Sequence, residues 1–151
     1  MVRHKNALRK HDIAAWTDDE TVPTAWMPLA KNVTNITDDS SDEIDDSGDY
    51  AGDGSPGSDV ISVSEVWTVE GTYDDDQESH AFLKGIKRQT GDARRVWHRI
   101  TYPNGEVYQG VANASDIVAG GGEATEYGAL AATLTFIKIP ELIAPETTPE
   151  V

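Results

Sequence analysis

The chain has 151 residues, with 27 acidic against 12 basic side chains, and its formal net charge is −15. This length suits one domain with a useful core, and such acidity disfavours binding of duplex DNA through a basic surface. The absence of cysteine excludes a disulfide framework, a thiolate nucleophile and a cysteine-based metal site.

The first 59 residues are predicted to form an arm, a strand and a long loop. Residues 1–23 have no clean hydrophobic period and predict an arm with a short strand at 13–16. Residues 26–37 are rich in β-branched side chains and predict a strand. Residues 38–59 carry only acidic charges, are interrupted by glycines and Pro56, and predict a long loop. Loops of this length in compact domains usually have a function.

The segment from Asp59 to Tyr73 has the clearest strand pattern, because apolar and polar side chains alternate along it. The apolar parity consists of Ile61, Val63, Trp67, Val69 and Tyr73. The polar parity consists of Ser62, Ser64, Thr68, Glu70 and Thr72. This alternation predicts one packed face and one wet face. Glu65 interrupts the apolar parity and indicates a bulge or a charge at an interface.

A single amphipathic helix is predicted over residues 76–90. Asp75 and Glu78 have the spacing of a capping box. The apolar stripe of this helix consists of Phe82, Leu83 and Ile86. Gly91 is a natural C-terminal stop, so the helix is predicted to end just before it.

Three strands are predicted after the helix. They cover residues 94–102, 106–117 and 127–137. Asn104-Gly105 predicts a type I′ hairpin between the first two strands. In the last strand Leu130, Leu134 and Phe136 are predicted to face the core.

The predicted elements together describe a mainly β domain over residues 24–140. Pro140, Pro145 and Pro149 predict a C-terminal arm over residues 141–151. The architecture that suits these elements is a two-sheet antiparallel β-sandwich with one α-helix, a long inter-strand loop and extended terminal arms.

Charge is segregated along the chain. The acidic loop contains Asp42, Asp45, Asp46, Asp49, Tyr50 and Asp53. The basic zones contain Arg3, Lys5, Lys87, Arg88, Arg94, Arg95 and Arg99. Such runs are either solvated faces or surfaces through which copies of the chain associate, acidic loop to basic zone. Arg95, Trp97 and Arg99 share one strand face, which fits a subunit contact better than nucleic-acid stacking.

No residue pattern indicates an enzyme or a bound cofactor. The acidic loop fails the EF-hand pattern, because Ala51 and Val60 stand where ligands are needed. Ser55 lacks the glycine-bounded turn of a serine nucleophile, and the four histidines lack metal-ligand spacing. We therefore expect no catalytic, cofactor-binding or metal-ligating residue. We also expect synthesis in a cytoplasm and no membrane contact, because the basic N-terminus is followed by no apolar stretch.

Three short segments stand out by their order and spacing. They are residues 96–110 (VWHRITYPNGEVYQG), 114–118 (ASDIV) and 120–124 (GGGEA). They resemble the C-terminal half of the tail tube proteins, or major tail proteins, of long-tailed phages of Gram-positive hosts. Residues 26–37, the Tyr50-x-x-Asp53-Gly54 motif and the acidic helix start at 74–78 resemble the same family. The similarity covers most of residues 24–140.

This resemblance implies a structural protein of the phage tail, made in the host cytoplasm and located in the virion. Copies would form homohexameric rings that stack into a tube, and each copy would give strands to an inter-subunit β-barrel. The loop over 38–59 would reach the neighbouring ring. The lumen would hold the tape-measure protein and later pass double-stranded DNA without binding it. Tail terminator and distal tail proteins would contact the two ends.

A wall that lets DNA slide should not hold phosphates, so uncharged or acidic polar side chains are expected to line the lumen. The polar residues on the solvated faces of the predicted strands are therefore expected to line the lumen. They are Ser62, Ser64, Thr68, Glu70, Gln109, Thr133 and Thr135. A barrel closed between copies would also remove exposed strand edges, which otherwise invite uncontrolled pairing.

Two alternatives remain open at this point. A tube protein of a contractile tail or of a phage-derived bacteriocin particle would share the sandwich. A small β-sandwich binding module or virion decoration domain belongs to a different class. That second reading expects exposed aromatic side chains and a monomer that tolerates loss of residues 38–59.

Overall fold

The structure is a computed structural model, and it describes residues 2–46, 48, 50, 52 and 57–143. The strands in this part are β1 (Lys10–Ala15), β2 (Met27–Pro28), β3 (Val33–Asp38), β4 (Ser41–Asp45), β5 (Asp59–Ser64), β6 (Val66–Thr72), β7 (Arg95–Thr101), β8 (Val107–Ala119), β9 (Ala129–Phe136) and β10 (Glu141–Ile143). The same part contains one helix, α1 (Glu78–Ile86). The prediction of a mainly β chain with a single helix is confirmed over these residues.

One curled antiparallel sheet dominates the fold. Its strand order is β2-β1-β7-β8-β9-β6-β3, and β10 pairs with β8 beyond the end of β9. β2 and β3 lie at opposite edges, although only residues 29–32 link them. In a flat sheet six strand spacings would separate the edges by about 29 Å. Four linking residues span less than about 20 Å, so the sheet curls into a half-barrel and its edges approach each other.

The concave side of the sheet holds the core. Leu83 of α1 and Leu29 pack into it from outside the sheet. The strands contribute Ile13, Trp67, Val69, Val96, Ile100, Ala112, Ala114, Ile117, Leu130, Ala132, Leu134 and Phe136. The alternation predicted for β6 and β9 is thus confirmed, because their apolar parity faces this core.

Residues 10–15 belong to the sheet. The short strand predicted at 13–16 is thus present over 13–15, but it begins earlier and is part of the main sheet. β1 pairs along its whole length with β7, and Ile13 and Ala14 have no exposed surface. Ile13 faces the core, whereas Ala14 packs with Trp16 and Trp26 on the other side of the sheet. Because both faces of β1 are covered, its apolar residues are consecutive and show no period of two.

The hairpin of β3 and β6 continues past the sheet as a two-stranded ribbon formed by β4 and β5. The N–H of Phe136, at the end of β9, donates to the Glu65 carbonyl, so the sheet ends there. The strand predicted over 59–73 is therefore split at Glu65, where its pattern had indicated a bulge. The loop predicted over 38–59 is wrong for residues 41–45, which pair with β5.

The helix is shorter than the predicted span of 76–90. No side chain caps its N-terminus, so the predicted capping box is wrong. Instead, Oδ1 of Asp74 accepts the backbone N–H of Asp76 in the turn before the helix. After the helix, the Arg94 side chain donates to the carbonyls of Lys87 and Gln89. These carbonyls are satisfied by a side chain, and the chain turns away before Gly91.

The hairpin between β7 and β8 is present, but its predicted type I′ turn is wrong. Gly105 has a φ of 94°, whereas Asn104 does not have a positive φ. The N–H of Gly105 donates to the Tyr102 carbonyl at 3.0 Å, and the N–H of Tyr102 donates to the Glu106 carbonyl at 2.9 Å. Pro103 favours the second position of a type I turn, so the loop has three residues and a glycine bulge.

Substitution of Gly71 in β6 is expected to destabilise the fold. A Cβ there would lie 2.2 Å from the Asn32 carbonyl oxygen and 2.8 Å from the Val33 Cα, and both are backbone atoms. We expect Gly71→Ala to lower the free energy of unfolding by about 2–3 kcal/mol. Gly85→Ala in α1 is the matched control, because a Cβ there meets nothing within 4 Å. It should raise stability by up to about 1 kcal/mol, and equal urea midpoints for the two variants would contradict the close contact.

Candidate functional site

The β4–β5 ribbon is amphipathic. Directly paired residues share a face of a two-stranded sheet. One face carries the pairs Asp42–Val63 and Ile44–Val60. The other face carries the pairs Ser41–Ser64, Glu43–Ser62 and Asp45–Asp59. The register shifts between Glu43 and Ile44, which leaves Ile61 as the extra residue of a bulge.

The apolar side chains of the ribbon are exposed. Their exposed fractions are 56% for Ile44, 59% for Val60, 58% for Ile61 and 45% for Val63. None of them belongs to either apolar cluster of the described residues. An isolated two-stranded hairpin is marginally stable at best in water, and clustered exposed apolar residues usually mark an interaction surface. The ribbon therefore presents a surface suited to cover by another molecule.

The acidic residues predicted in this region do not form one cluster. Asp42, Asp45, Asp46 and Tyr50 are described, and all are exposed. Asp49 and Asp53 lie outside the described residues. Asp42 and Asp45 stand on opposite faces of the ribbon, so negative charge lies on both.

The convex face of β3, β6, β9 and β8 is polar. One row across these strands consists of Thr37, Thr68, Thr133 and Ser115. The neighbouring rows consist of Asn35, Glu70 and Ala131, and of Val66, Thr135 and Asn113. The structure thus brings together four of the residues predicted to line a lumen, namely Thr68, Glu70, Thr133 and Thr135. On these four strands the rows contain no Lys or Arg, whereas the row of Asn113 continues onto Arg95 of β7.

The other three predicted lumen residues lie elsewhere. Ser62 and Ser64 stand on the polar face of the ribbon. Gln109 of β8 lies opposite Arg99 of β7, beside a small groove that Trp97 also lines. Ser62 and Ser64 are separated from the others because their strand leaves the sheet at Glu65. Gln109 shares the face of Asn113 on β8 but lies farther along that strand.

Arg94 is engaged within its own subunit. Its Nε donates to the Gln89 carbonyl at 2.8 Å, and its Nη1 donates to the Ala114 carbonyl at 3.1 Å. A guanidinium that donates to carbonyls after the helix and to a carbonyl of β8 has few donors left for another molecule. Arg94 therefore has a structural role within its own subunit, and its part in a basic zone stays a prediction.

Arg95 and Arg99 are also paired internally. Arg95 lies 3.7 Å from the Asp19 carboxylate and 5.4 Å from the Trp16 ring centroid. Arg99 lies 3.4 Å from the Asp12 carboxylate and over the Trp26 ring. Both side chains remain about one-third exposed, at 31% and 32%, so the subunit contact predicted for this strand face stays a prediction. Of the other predicted basic residues, Arg3, Lys5 and Arg88 are exposed and Lys87 is half-buried.

His11 of β1 and His98 of β7 form a buried pair that sequence analysis missed. Nδ1 of His11 lies 3.0 Å from Nε2 of His98, and Nε of Arg9 donates to Nε2 of His11 at 2.8 Å. Because Arg9 can only donate, Nε2 of His11 accepts, and His11 donates from Nδ1 to His98. The proton of His98 is then on Nδ1, which is buried with no partner among the described residues. Both rings are therefore neutral.

Their surroundings favour the neutral form of both imidazoles. Burial, reinforced by the Arg9 charge, lowers the pKa of His11 to about 4. Burial, reinforced by His11, holds the pKa of His98 well below its usual value. The His98 ring stacks on Phe136 at a centroid distance of 5.1 Å, and His11 lies against Trp67. No spacing rule could have joined two residues 87 positions apart.

Over the described ranges 2–46 and 57–143 and the three positions between them, no group of three or more metal-ligating side chains is placed to hold a metal ion. In the same residues no helix has the length and apolar character needed to cross a membrane. The sequence matches no protein-family model and no curated protein.

Proposed function

We propose that this chain is the tube protein of a phage tail. Copies form homohexameric rings, and the rings stack into a hollow conduit through which the genome leaves the virion. The observation that carries the proposal is the β4–β5 ribbon, whose apolar face is exposed in a single copy. A tube of a contractile tail or of a phage-derived bacteriocin would need the same subunit geometry.

The ribbon supports an assembly role because it extends past the sheet and has no cover from its own core. Its partner surface on another copy must differ from the ribbon itself, since two acidic ribbons repel each other. A contact between two different surfaces is heterologous, and its repetition along an axis builds a filament or tube. A symmetric dimer would not need such a projecting element.

The convex polar face supports a conduit. In the proposed tube, the rows that contain Thr68 and Thr133 face the lumen, and curled sheets of neighbouring copies lie side by side as an inter-subunit β-barrel. Their hydroxyl and amide groups remain hydrated, and Glu70 repels phosphates. A tape-measure protein during assembly and double-stranded DNA during ejection would both meet the polar rows of these four strands. On β7, the next strand of the same face, Arg95 and Arg99 are paired with Asp19 and Asp12.

The purified chain is expected to form rings or tubes at high concentration. Negative-stain electron microscopy should show annular or tubular particles, and sedimentation velocity should show species much larger than the 16.4 kDa monomer. Raising the salt concentration should weaken assembly wherever acidic and basic surfaces meet. A chain that stays monomeric in both measurements would contradict the proposal.

One observation favours a decoration or binding module as a second candidate. Tyr127 precedes β9, and its side chain is 90% exposed, as expected of an aromatic anchor at a loop tip. The two candidates differ in oligomeric state, because the module would act as a monomer. The same sedimentation measurement therefore separates them.

A further inference from the structure

A cleft of about 630 Å³ lies between the two edges of the curled sheet. β1 lines one side of it, β3 lines the other, and residues 28–30 lie between them. The apolar residues of the lining are Ala7, Leu29, Ala30, Val33 and Ile36. The volume is in the range of cavities that bind ligands, about 300–1,000 Å³. Several side chains of a partner would fit into it.

The two edges are not joined by a strand ladder. Neither β1 nor β2 pairs with β3. Nη2 of Arg9 bridges the opening by donating to the Ile36 carbonyl at 3.3 Å, and the N–H of Leu29 donates to the His11 carbonyl at 2.9 Å. A sheet edge that lacks a neighbouring strand is a template for a strand of another chain. The cleft therefore offers both apolar surface and strand edges.

The surroundings of the cleft are basic. The basic residues in its lining, or within a few positions of it in the chain, are Arg3, Lys5, Arg9, Lys10 and Lys31. Arg9 donates to His11, Asn6 and Ile36 of its own chain, so the charges open to a partner are those of the other four. Counted in the same way, the acids are Asp12, which is paired with Arg99 at 3.4 Å, and Asp38 and Asp39, which follow Ile36. In the other basic cluster, Arg94, Arg95 and Arg99 are engaged within the subunit, whereas Arg88 is exposed. The cleft is a basic surface that also offers apolar lining and strand edges to an acidic partner.

We propose that this cleft receives the β4–β5 ribbon of a second copy, an inference that rests on the proposed tube function. The ribbon offers Ile44 and Val60 to the apolar lining and Asp42 to the basic surroundings. Residues 32–83 contain no Lys or Arg, so the ribbon and the segments next to it in sequence carry no basic charge. Because ribbon and cleft are different surfaces, each copy gives one and receives one, and the contact repeats.

Engineered cysteines test the contact between ribbon and cleft directly, because the chain has no cysteine of its own. Untagged copies with Val60→Cys are mixed with tagged copies carrying Thr34→Cys, and the assembly is oxidised. We expect a disulfide-linked heterodimer, since each cysteine is on a different copy and the bond needs Cα atoms within about 7 Å. Ala131→Cys on the convex face is the matched control and should not cross-link to Val60→Cys.

Charge reversal provides a second measurement. Lys10→Glu should raise the concentration needed for assembly at least tenfold. In the double variant, Asp42→Lys in the ribbon should bring this concentration back towards that of the unsubstituted chain. Tubes in which Val60→Cys bonds to Ala131→Cys but not to Thr34→Cys would overturn the cleft as the seat and leave the tube function standing. If the unsubstituted chain does not assemble, the proposed function is overturned and this inference with it.

Discussion

Removal of the β4–β5 ribbon is expected to abolish assembly and leave a folded domain. Residues 41–64 would be replaced by a two-residue Asn-Gly turn between Ser40 and Glu65. The two strands already meet there, because the N–H of Asp39 donates to the Val66 carbonyl at 2.8 Å. The ribbon contributes to neither apolar cluster, so its loss should change stability little. Sedimentation should show a monomer, and far-UV circular dichroism should show an unchanged sheet.

Point variants on the two ribbon faces separate loss of a surface from loss of fold. Ile44→Thr and Val63→Thr should change the free energy of unfolding by less than about 0.5 kcal/mol, because both side chains are largely exposed. If another copy covers this face, each should weaken assembly about tenfold, since about 1–2 kcal/mol of apolar burial is lost. Ser62→Ala on the opposite face is the matched control. A ribbonless chain that still forms tubes would contradict the assigned role.

Strands with one covered face could be predicted from the sequence. In β9 the residues Leu130, Leu134 and Phe136 alternate with small or polar ones, and the structure places them in the core. In β6 the pair Trp67 and Val69 behaves in the same way. Burial on one side gives the sequence a period of two, and the period identifies both the strand and its inward face.

The predictions that failed concern elements that are not buried on one face only. β1 is covered on both faces, so Ile13 and Ala14 are adjacent apolar residues without a period. All residues of β4 are exposed in a single copy, so its sequence has no buried apolar period and is typical of an acidic loop. Arg95 lies near Asp92, three residues before it, but its contact with Asp19 and the contact of Arg99 with Asp12 join distant parts of the chain. Such contacts depend on tertiary packing and leave no local signal.

Acidification below about pH 6.5 is expected to destabilise the fold steeply. His11 and His98 are held neutral in the folded protein, whereas both titrate near 6.5 when unfolded. The unfolded chain then binds more protons, so the free energy of unfolding falls as pH falls from 6.5 towards the folded pKa values. The burial that lowers the pKa of His80 acts in the same direction. Burial raises the pKa of Glu65, which acts in the opposite direction and offsets part of the loss.

The size of the effect follows from the linkage between titration and folding. A histidine whose folded pKa is about 4, as for His11, loses about 2 kcal/mol of stabilisation between pH 7.5 and pH 5. Urea denaturation at these two pH values measures the loss. His98→Leu removes one buried titrating group, so it should reduce the pH-dependent loss by more than about 1 kcal/mol.

The same variant should be less stable than the unsubstituted chain at pH 7.5, because the Nδ1–H of His11 loses its acceptor and stays buried. Protonation of His98 creates the equivalent conflict in the unsubstituted chain, since two N–H donors would then face each other across 3.0 Å. β1 is the element that should give way first, because the pair joins it to β7. His4→Gln, at an exposed position, is the control and should keep the full pH dependence. An unaltered pH dependence in His98→Leu would show that the buried pair does not control acid stability.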